Sequence, residues 1–300
     1  MFMEWLSCIR GAIDYMETHL TDDISVKDVA DRVYLSPFFL QRGFSLMTGC
    51  GIGEYIRNRR LYLAALELRD TDAKVIDIAL KYGYETPESF AKAFTRFHGV
   101  TPSQAREGGR IIPFLPMTVN ISIQGGSQMD YKITPMFPFK VIGFQKIFGY
   151  ENSYEEIPKF WDETCQKYAN NVYAGNPPAN PYEQALMDNC IGEYGVCIDD
   201  LEGERFRYLI AGKYTGGPVP EGMVLYEFPR GEWAVFDCVG PNPRTLQSVN
   251  TRIFREWLPG NPEFELRGNA TVEWYDCVNG EMTDPDYHSA IWVPVKRKQA

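Results

Sequence analysis

The sequence repeats itself once near its start, and this repeat constrains the fold more than any other feature. The stretches "VKDVADRVYLSPFFLQRGFSLMTG" and "VIDIALKYGYETPESFAKAFTRFHG" lie over one another. Val26, Asp28, Val29 and Ala30 match Val75, Asp77, Ile78 and Ala79 at an offset of 49, and Leu40, Phe44 and Gly49 match Phe90, Phe94 and Gly99 at an offset of 50. The offset changes between the two sets, where a turn tolerates an extra residue. Each copy reads as a short helix, a tight turn and a longer helix. Ala30 and Ala79 are small, as two closely crossing helices require. A helix-turn-helix present twice fits the pattern.

The helix faces follow from the spacing. Ser36 is placed to cap the second helix of the first copy, with Pro37 in its first turn and Gly49 at its end. Leu40, Phe44 and Met47 then make an apolar stripe, and Phe38, Gln41, Arg42 and Ser45 are expected on the other side. In the second copy Thr86 and Pro87 open the helix, and Phe90, Phe94 and Phe97 form the stripe. Glu88, Ser89, Lys92 and Thr95 fall on or near its outer face. An outward Gln–Arg pair suits base edges: the guanidinium donates two parallel bonds to guanine, and the carboxamide matches adenine. For one isolated helix a solvated face is the plainer reading; two such helices joined by a long one favour a bipartite reader. The joining segment, residues 51–71, has no proline and carries Arg57, Arg59 and Arg60 in one turn, suited to phosphates. A rigid connection of this kind holds two reading helices roughly 34 Å apart, one turn of duplex DNA.

Charge supports this division of labour. The formal net charge of −10 argues against a generic nucleic-acid binder. Residues 1–107 hold 13 Lys and Arg against 15 Asp and Glu, whereas residues 108–300 hold 17 against 25. The first part is near neutral and can bind DNA if its cations share a face; the second part is acidic and suits a cation. "TGCGIGEY" contains a G-x-G-x-G, but it follows a helical pattern and lacks the spacing of a dinucleotide site. Seven scattered cysteines without a C-x-x-C fit a reducing cytosol, and three distant histidines give no metal constellation. No apolar run reaches the roughly 18 residues of a membrane span. The first residues lack the pattern of a secretory signal.

After the Gly- and Pro-containing stretch 108–129, read as a linker, the pattern changes to short β-rich runs. "YKITPMFPFKVIGFQKIFG", a helix around "SYEEIPKFWDETCQKYA", then "IGEYGVCID" and "FRYLIAGKYT" make one half. "MVLYEFPRGEWAVFDCVG", a helix around "NPRTLQSVNTRIFREWL", then "ATVEWYDC" and "AIWVPVKR" make the other. Two such units packed side by side leave a groove. Glu273 stands in an apolar, aromatic strand, where a carboxylate is costly without a partner. It either meets a cationic or hydrogen-bonding ligand, or faces solvent on an alternating strand. Trp161, Tyr208, Trp233 and Trp292 are the aromatic side chains available to wall an organic cation; for each taken singly, core packing is the plainer role.

Residues 6–106 resemble the DNA-binding domain of the AraC/XylS transcription regulators. The likeness is carried by "VKDVADRVYLSPFFLQRGFSLMTG", "YIRNRRLYLAALELRDT" and "VIDIALKYGYETPESFAKAFTRFHGVTPSQAR". It implies base contacts by Phe38, Gln41 and Arg42, and by Glu88, Ser89 and Lys92. Gly43 departs from a good helix former by about 1 kcal/mol, and Glu88 repels phosphate. The remainder is similar to GyrI-like effector-binding domains through "FPRGEWAVFDCVGP", "TVEWYD" and "AIWVPVK", which implies duplicated β-α-β-β units, an apolar groove and a glutamate at Glu273. The expected protein has two domains. An all-α double helix-turn-helix domain (1–107) precedes, after the linker (108–129), an α+β GyrI-like domain (130–300). It is a cytoplasmic regulator that binds promoter duplex DNA and a small amphipathic or cationic effector, with no cofactor, metal or membrane. Two alternatives use the second domain differently: hydrolysis of reactive small molecules with Glu273 as base and Tyr208 as orienter, or docking of a protein such as RNA polymerase.

Overall fold

The computed structural model describes residues 5–119, 129–149, 153–199, 201 and 205–298. The chain separates into two compact units that change over near residue 123.

The first unit is all helix: α1 (Trp5–Thr18), α2 (Val26–Arg32), α3 (Pro37–Thr48), α4 (Ile52–Asp70), α5 (Val75–Lys81), α6 (Pro87–His98) and α7 (Pro102–Arg106). The repeat is visible in the elements themselves. α2 and α5 have 7 residues each, and α3 and α6 have 12 each. Ser36 accepts from the Phe39 amide and Thr86 from the Ser89 amide, each with proline in the first turn. Gly49 and Gly99 close the two helices in the left-handed conformation. Around the second copy, Leu61, Ala64, Ala65 and Leu68 of α4 pack with Ile78, Ala79, Phe90, Phe94 and Ala105. Burying a Phe or Leu side chain contributes roughly 1.5–3 kcal/mol, so this stripe holds α5 and α6 on the central helix.

Of Arg57, Arg59 and Arg60 on α4, the last two are structural, which corrects the phosphate role expected of them. Arg59 is buried and grips Glu17 of α1 with Nε–Oε1 at 2.7 Å and Nη2–Oε2 at 2.8 Å, while its Nη1 donates to the Phe114 carbonyl. Arg60 donates from Nε to Leu20 O (2.7 Å) and from Nη2 to Asp22 O (2.6 Å). Residues 57, 59 and 60 lie about 200° and 300° apart around a helix, so one turn of arginines cannot share one face. Arg57 alone of the three is exposed.

Residues 108–119, expected within a linker, instead run along the helical unit. The Phe114 ring lies 5.9 Å from Tyr55 and 6.1 Å from Phe97. The Ile112 amide donates to His98 Nδ1 at 3.0 Å, and the Met117 amide donates to Tyr55 OH at 3.2 Å. Glycines and prolines marked a boundary, but the apolar residues of "IIPFLPM" give the segment anchors. Residues 120–128 of the expected linker lie outside the described residues.

The second unit begins with β1 (Lys132–Met136) and β2 (Phe139–Gly149). Then comes α8 (Ser153–Thr164), which runs through a π turn (Cys165–Ala169) into α9 (Asn170–Tyr173). α10 (Pro181–Asp188), β3 (Tyr194–Ile198) and β4 (Arg205–Lys213) complete the first half. The second half has β5 (Met223–Phe228), β6 (Gly231–Val239) and α11 (Arg244–Arg252), again with a π turn (Ile253–Trp257), leading to α12 (Leu258–Gly260). It ends with β7 (Phe264–Leu266), β8 (Ala270–Tyr275) and β9 (His288–Arg297). α10 escaped the sequence reading, although Asn180, Pro181 and Glu183 are its cap signals.

All pairings in the sheet are antiparallel, in the order β1-β6-β9-β8-β3-β4-β2-β5, with β7 on β9. That order reads the same from both ends once the halves are exchanged, so the unit has a twofold through the β3–β8 seam. The halves do not merely sit side by side. Each lends its first strand to the other: β1 pairs with β6, and β5 with β2. The sheet curls until Phe228 of β5 touches Trp233 of β6 at 5.4 Å between ring centroids. Its inner face buries Val141, Val196, Leu209, Ala211 and Val272. The helices cover the other face, with Phe160 against Phe148 (5.8 Å) and Trp257 against Phe236 (4.9 Å).

Two measurements test the helical unit. Glu17→Gln leaves the buried Arg59 guanidinium without its counter-charge. The expected loss is roughly 2–3 kcal/mol, below the value for fully buried pairs because the Glu17 side chain keeps 20% exposure; an unchanged urea midpoint would show the pair to be idle. His98 is buried and must be neutral to accept from Ile112, which places its proton on Nε2, 3.1 Å from Leu61 O. Burial holds its pKa below the ordinary 6.5. The unfolded chain therefore takes up the proton first, and this stability is whole above about pH 6.5 and declines below it. Melting temperature should fall between about pH 7 and pH 5, and His98→Gln should flatten that fall.

Candidate functional site

In the helical unit, exposed polar side chains gather on α6. Glu88, Ser89, Lys92 and Arg96 are all exposed. Residues 88, 92 and 96 are four apart and follow one ridge of the helix. Arg96 was not singled out from the sequence, although the same spacing from Lys92 marks it. Arg57 on α4 lies close by: Arg57, Arg60 and Arg96 all act electrostatically on the Tyr84 phenol, which burial raises above its ordinary pKa. Three guanidinium groups thus converge at the second turn in a chain whose net charge is −10.

α3 differs from its sister helix. Arg42 and Ser45 are partly exposed, but Phe38 is 0% and Gln41 3% exposed. These two expected base contacts are therefore inaccessible in this structure. The reason lies in the run "FFLQ": at 100° per residue, Phe38, Phe39 and Leu40 put apolar surface over most of the circumference, so the buried arc engulfs Gln41. Gln41 Nε2 is buried without a hydrogen-bond partner among the described residues. The Arg42 guanidinium lies over the Phe38 ring, 5.4 Å from its centroid.

In the second unit the β3–β8 seam sets the geometry. Residues opposite one another in an antiparallel pair share a face. Gly195, Glu273, Ile291 and Phe236 form one such row, on the side that α8 and α11 cover. Tyr208 OH donates to Glu273 Oε2 at 2.8 Å, and Tyr275 OH donates to the same oxygen at 3.0 Å. Trp161 Nε1, on α8, donates to Tyr208 OH at 3.0 Å, and its ring meets Tyr275 edge-on at 5.2 Å. Burial first, then the Glu273 charge, holds both phenols well above their ordinary pKa, so both stay protonated and both donate. Above the seam Asn250 of α11 donates to Tyr154 OH of α8 at 2.8 Å, tying the two helices together.

Gly195 makes this network possible. A Cβ there would lie 2.1 Å from Tyr208 OH and 2.8 Å from Glu273 Oε2. The phenol fills the space that any side chain would claim. No carboxylate stands on β3, so of the two seam strands β8 alone carries one.

Glu273, Trp161 and Tyr208 thus come together, and Tyr275 joins them. Trp233 and Trp292 do not. Val272 pairs with Trp292, and Trp233 packs with Phe228 in the inner core. Both tryptophans lie on the opposite face of the sheet, because side chains alternate along a strand. Composition gave the aromatics, but only register assigns them to a face. Tyr275 was legible as a same-face neighbour of Glu273 two residues on.

Among the described residues no helix is long and apolar enough to cross a membrane, and no group of three His, Cys, Asp or Glu is arranged to hold a metal ion.

Comparison with known proteins places both units. A family model of the helix-turn-helix domain matches residues 29–108, and that of the GyrI-like small molecule binding domain matches residues 129–296. The transcriptional activator AarP of Providencia stuartii is 42% identical over 100 residues, which are 33% of this chain and 74% of AarP. The regulatory protein SoxS of Salmonella typhimurium is 39% identical over 98 residues, 33% of this chain and 92% of SoxS. The right origin-binding protein of Escherichia coli K12 is 30% identical over 179 residues, 60% of this chain and 61% of that protein. The GyrI-like match spans more than half of the 300 residues, and the double helix-turn-helix is shared with curated regulators. The chain therefore belongs to the AraC/XylS family of DNA-binding transcription regulators, in the form that carries a GyrI-like small-molecule-binding domain.

Proposed function

We propose that this regulator responds to a small amphipathic cation held over Glu273, and that it meets duplex DNA through the α6 ridge, Arg57 and the accessible part of α3. The carboxylate network carries the effector reading. Two phenols donate to one oxygen of Glu273, and Trp161, Tyr208 and Tyr275 add π surface. A carboxylate among aromatic faces favours an organic cation over a neutral or anionic molecule. In the hydrolase alternative Tyr208 orients Glu273, the base, and the hydrogen bond between them fits that role as well; turnover of an electrophilic substrate, lost in Glu273→Gln, would favour it over effector binding. On the DNA side Lys92, Arg96 and Arg57 supply positive charge, and Ser89 and Arg42 supply further donors, while Glu88 is suited only to a cytosine amino group.

Benzyltrimethylammonium and its neutral isostere neopentylbenzene test the effector site by calorimetry. The cation should bind and the isostere should not, and Glu273→Gln should weaken the cation roughly ten-fold or more, about 1.4 kcal/mol. Equal binding of the cation by both proteins would retire Glu273 from this role.

Arg96→Ala tests the DNA face. Affinity should fall by a similar factor for all duplexes, and the slope of log K against log salt should shrink by roughly 1. A selective loss confined to one sequence would move Arg96 from the backbone to a base edge.

A further inference from the structure

The two turns of the repeat are built alike, yet they hold different residues. In the first, the Leu35 amide donates to Ala30 O at 3.1 Å; in the second, the Tyr84 amide donates to Ala79 O at 3.0 Å. Both turns pass through the left-handed region one residue earlier. The second copy places Gly83 there (φ 82°), which adopts it freely, whereas the first places Tyr34 (φ 55°). A tyrosine in that conformation carries a steric cost that glycine avoids. The fold gains nothing in return, because Tyr34 is 82% exposed. A strained side chain directed into solvent points to a role outside the fold.

Position supplies the role. Tyr34 stands two residues before Ser36, which caps α3. The leading end of the second helix is the end that a helix-turn-helix presents to DNA. Tyrosine hydroxyls are among the groups that donate to phosphate oxygens at such interfaces. Arg32, exposed in the last turn of α2, adds positive charge close by. The sister turn also holds a phenol, Tyr84, but half-buried within reach of Arg57, Arg60 and Arg96. The first copy has its phenol one residue earlier and turned outward. We infer that the Tyr34 hydroxyl is a further DNA contact, donating to a phosphate oxygen beside the first helix-turn-helix and fixing that copy on the backbone without reading sequence. The inference rests on the DNA-binding activity of the helical unit but not on the α6 ridge.

Tyr34→Phe and Tyr34→Gly in the full chain test it, with Arg96→Ala in parallel. Binding is followed by fluorescence anisotropy on two duplexes, one enriched from a random pool by the wild-type protein and one of mixed sequence. Tyr34→Gly should melt a few degrees higher, about what relief of one strained residue supplies, while losing roughly five- to ten-fold in affinity for both duplexes. Tyr34→Phe should lose the same affinity with no gain in melting temperature. Neither variant should change the salt slope, since a neutral phenol releases no counterion. Wild-type affinity in Tyr34→Phe would overturn the proposal. Loss on the enriched duplex alone would overturn the phosphate assignment. Unchanged binding with reduced output in a purified transcription reaction would give the phenol to a protein partner instead, and equally overturn it. If Arg96→Ala weakens binding and Tyr34→Phe does not, the α6 ridge stands and this inference falls; the reverse outcome keeps Tyr34 and removes the ridge.

Discussion

The antiparallel pairing of β3 with β8 is the interaction on which the second unit depends. It joins the two halves at their twofold, and its register decides which side chains can meet. A slip of one residue would turn Glu273 into the inner core and Val272 out under the helices. The observed register instead puts Glu273 opposite Gly195, the one neighbour without a side chain to obstruct Tyr208. Two phenols and an indole then complete a network in which every donor is accounted for. The placement aims two hydroxyls at one carboxylate oxygen and surrounds it with aromatic rings.

The helical half was legible because its signals are local. Caps at Ser36 and Thr86, prolines behind them and closing glycines each act within a few residues, and the repeat doubled every signal. What failed there concerned faces. Arg59 and Arg60 are attached to α1 and the following loop by partners some 40 residues away, and Phe38 and Gln41 belong to a helix with little polar circumference. In the second half the order of strands and helices was readable apart from α10 and β7, and so was the oddity of Glu273. The exchange of first strands was not, since "KITPM" and "MVLYEF" carry nothing that distinguishes pairing within a half from pairing across halves. For the same reason Trp233 and Trp292 were grouped with Glu273 from composition, when alternation along their strands sends them to the other side.

The two copies differ from one another in both units. In the helical unit Lys92 and Arg96 are exposed on α6, while the corresponding positions of α3 are Arg42 and Leu46, both only partly exposed, and Phe38 and Gln41 are buried. In the sheet β8 carries a carboxylate at Glu273, while its seam partner β3 presents Gly195 opposite it. Cations cluster around the second turn of the reader, and the negative charge that would repel a duplex is concentrated beyond residue 107.

The exchanged strands bear on how this domain is made. A chain emerging in order completes β1 to β4 with β2 still bare along one side, since its second neighbour, β5, has yet to be synthesised. β1 meanwhile waits for β6. A fragment stopping in the Gly216–Gly217 turn would thus hold open hydrogen-bonding edges on β2 and on β3 and an orphan strand, the elements that invite a second molecule to supply what is missing. What reads as two modules in tandem is a single interlocked object, and its earliest half is most exposed to mispairing before the later one arrives.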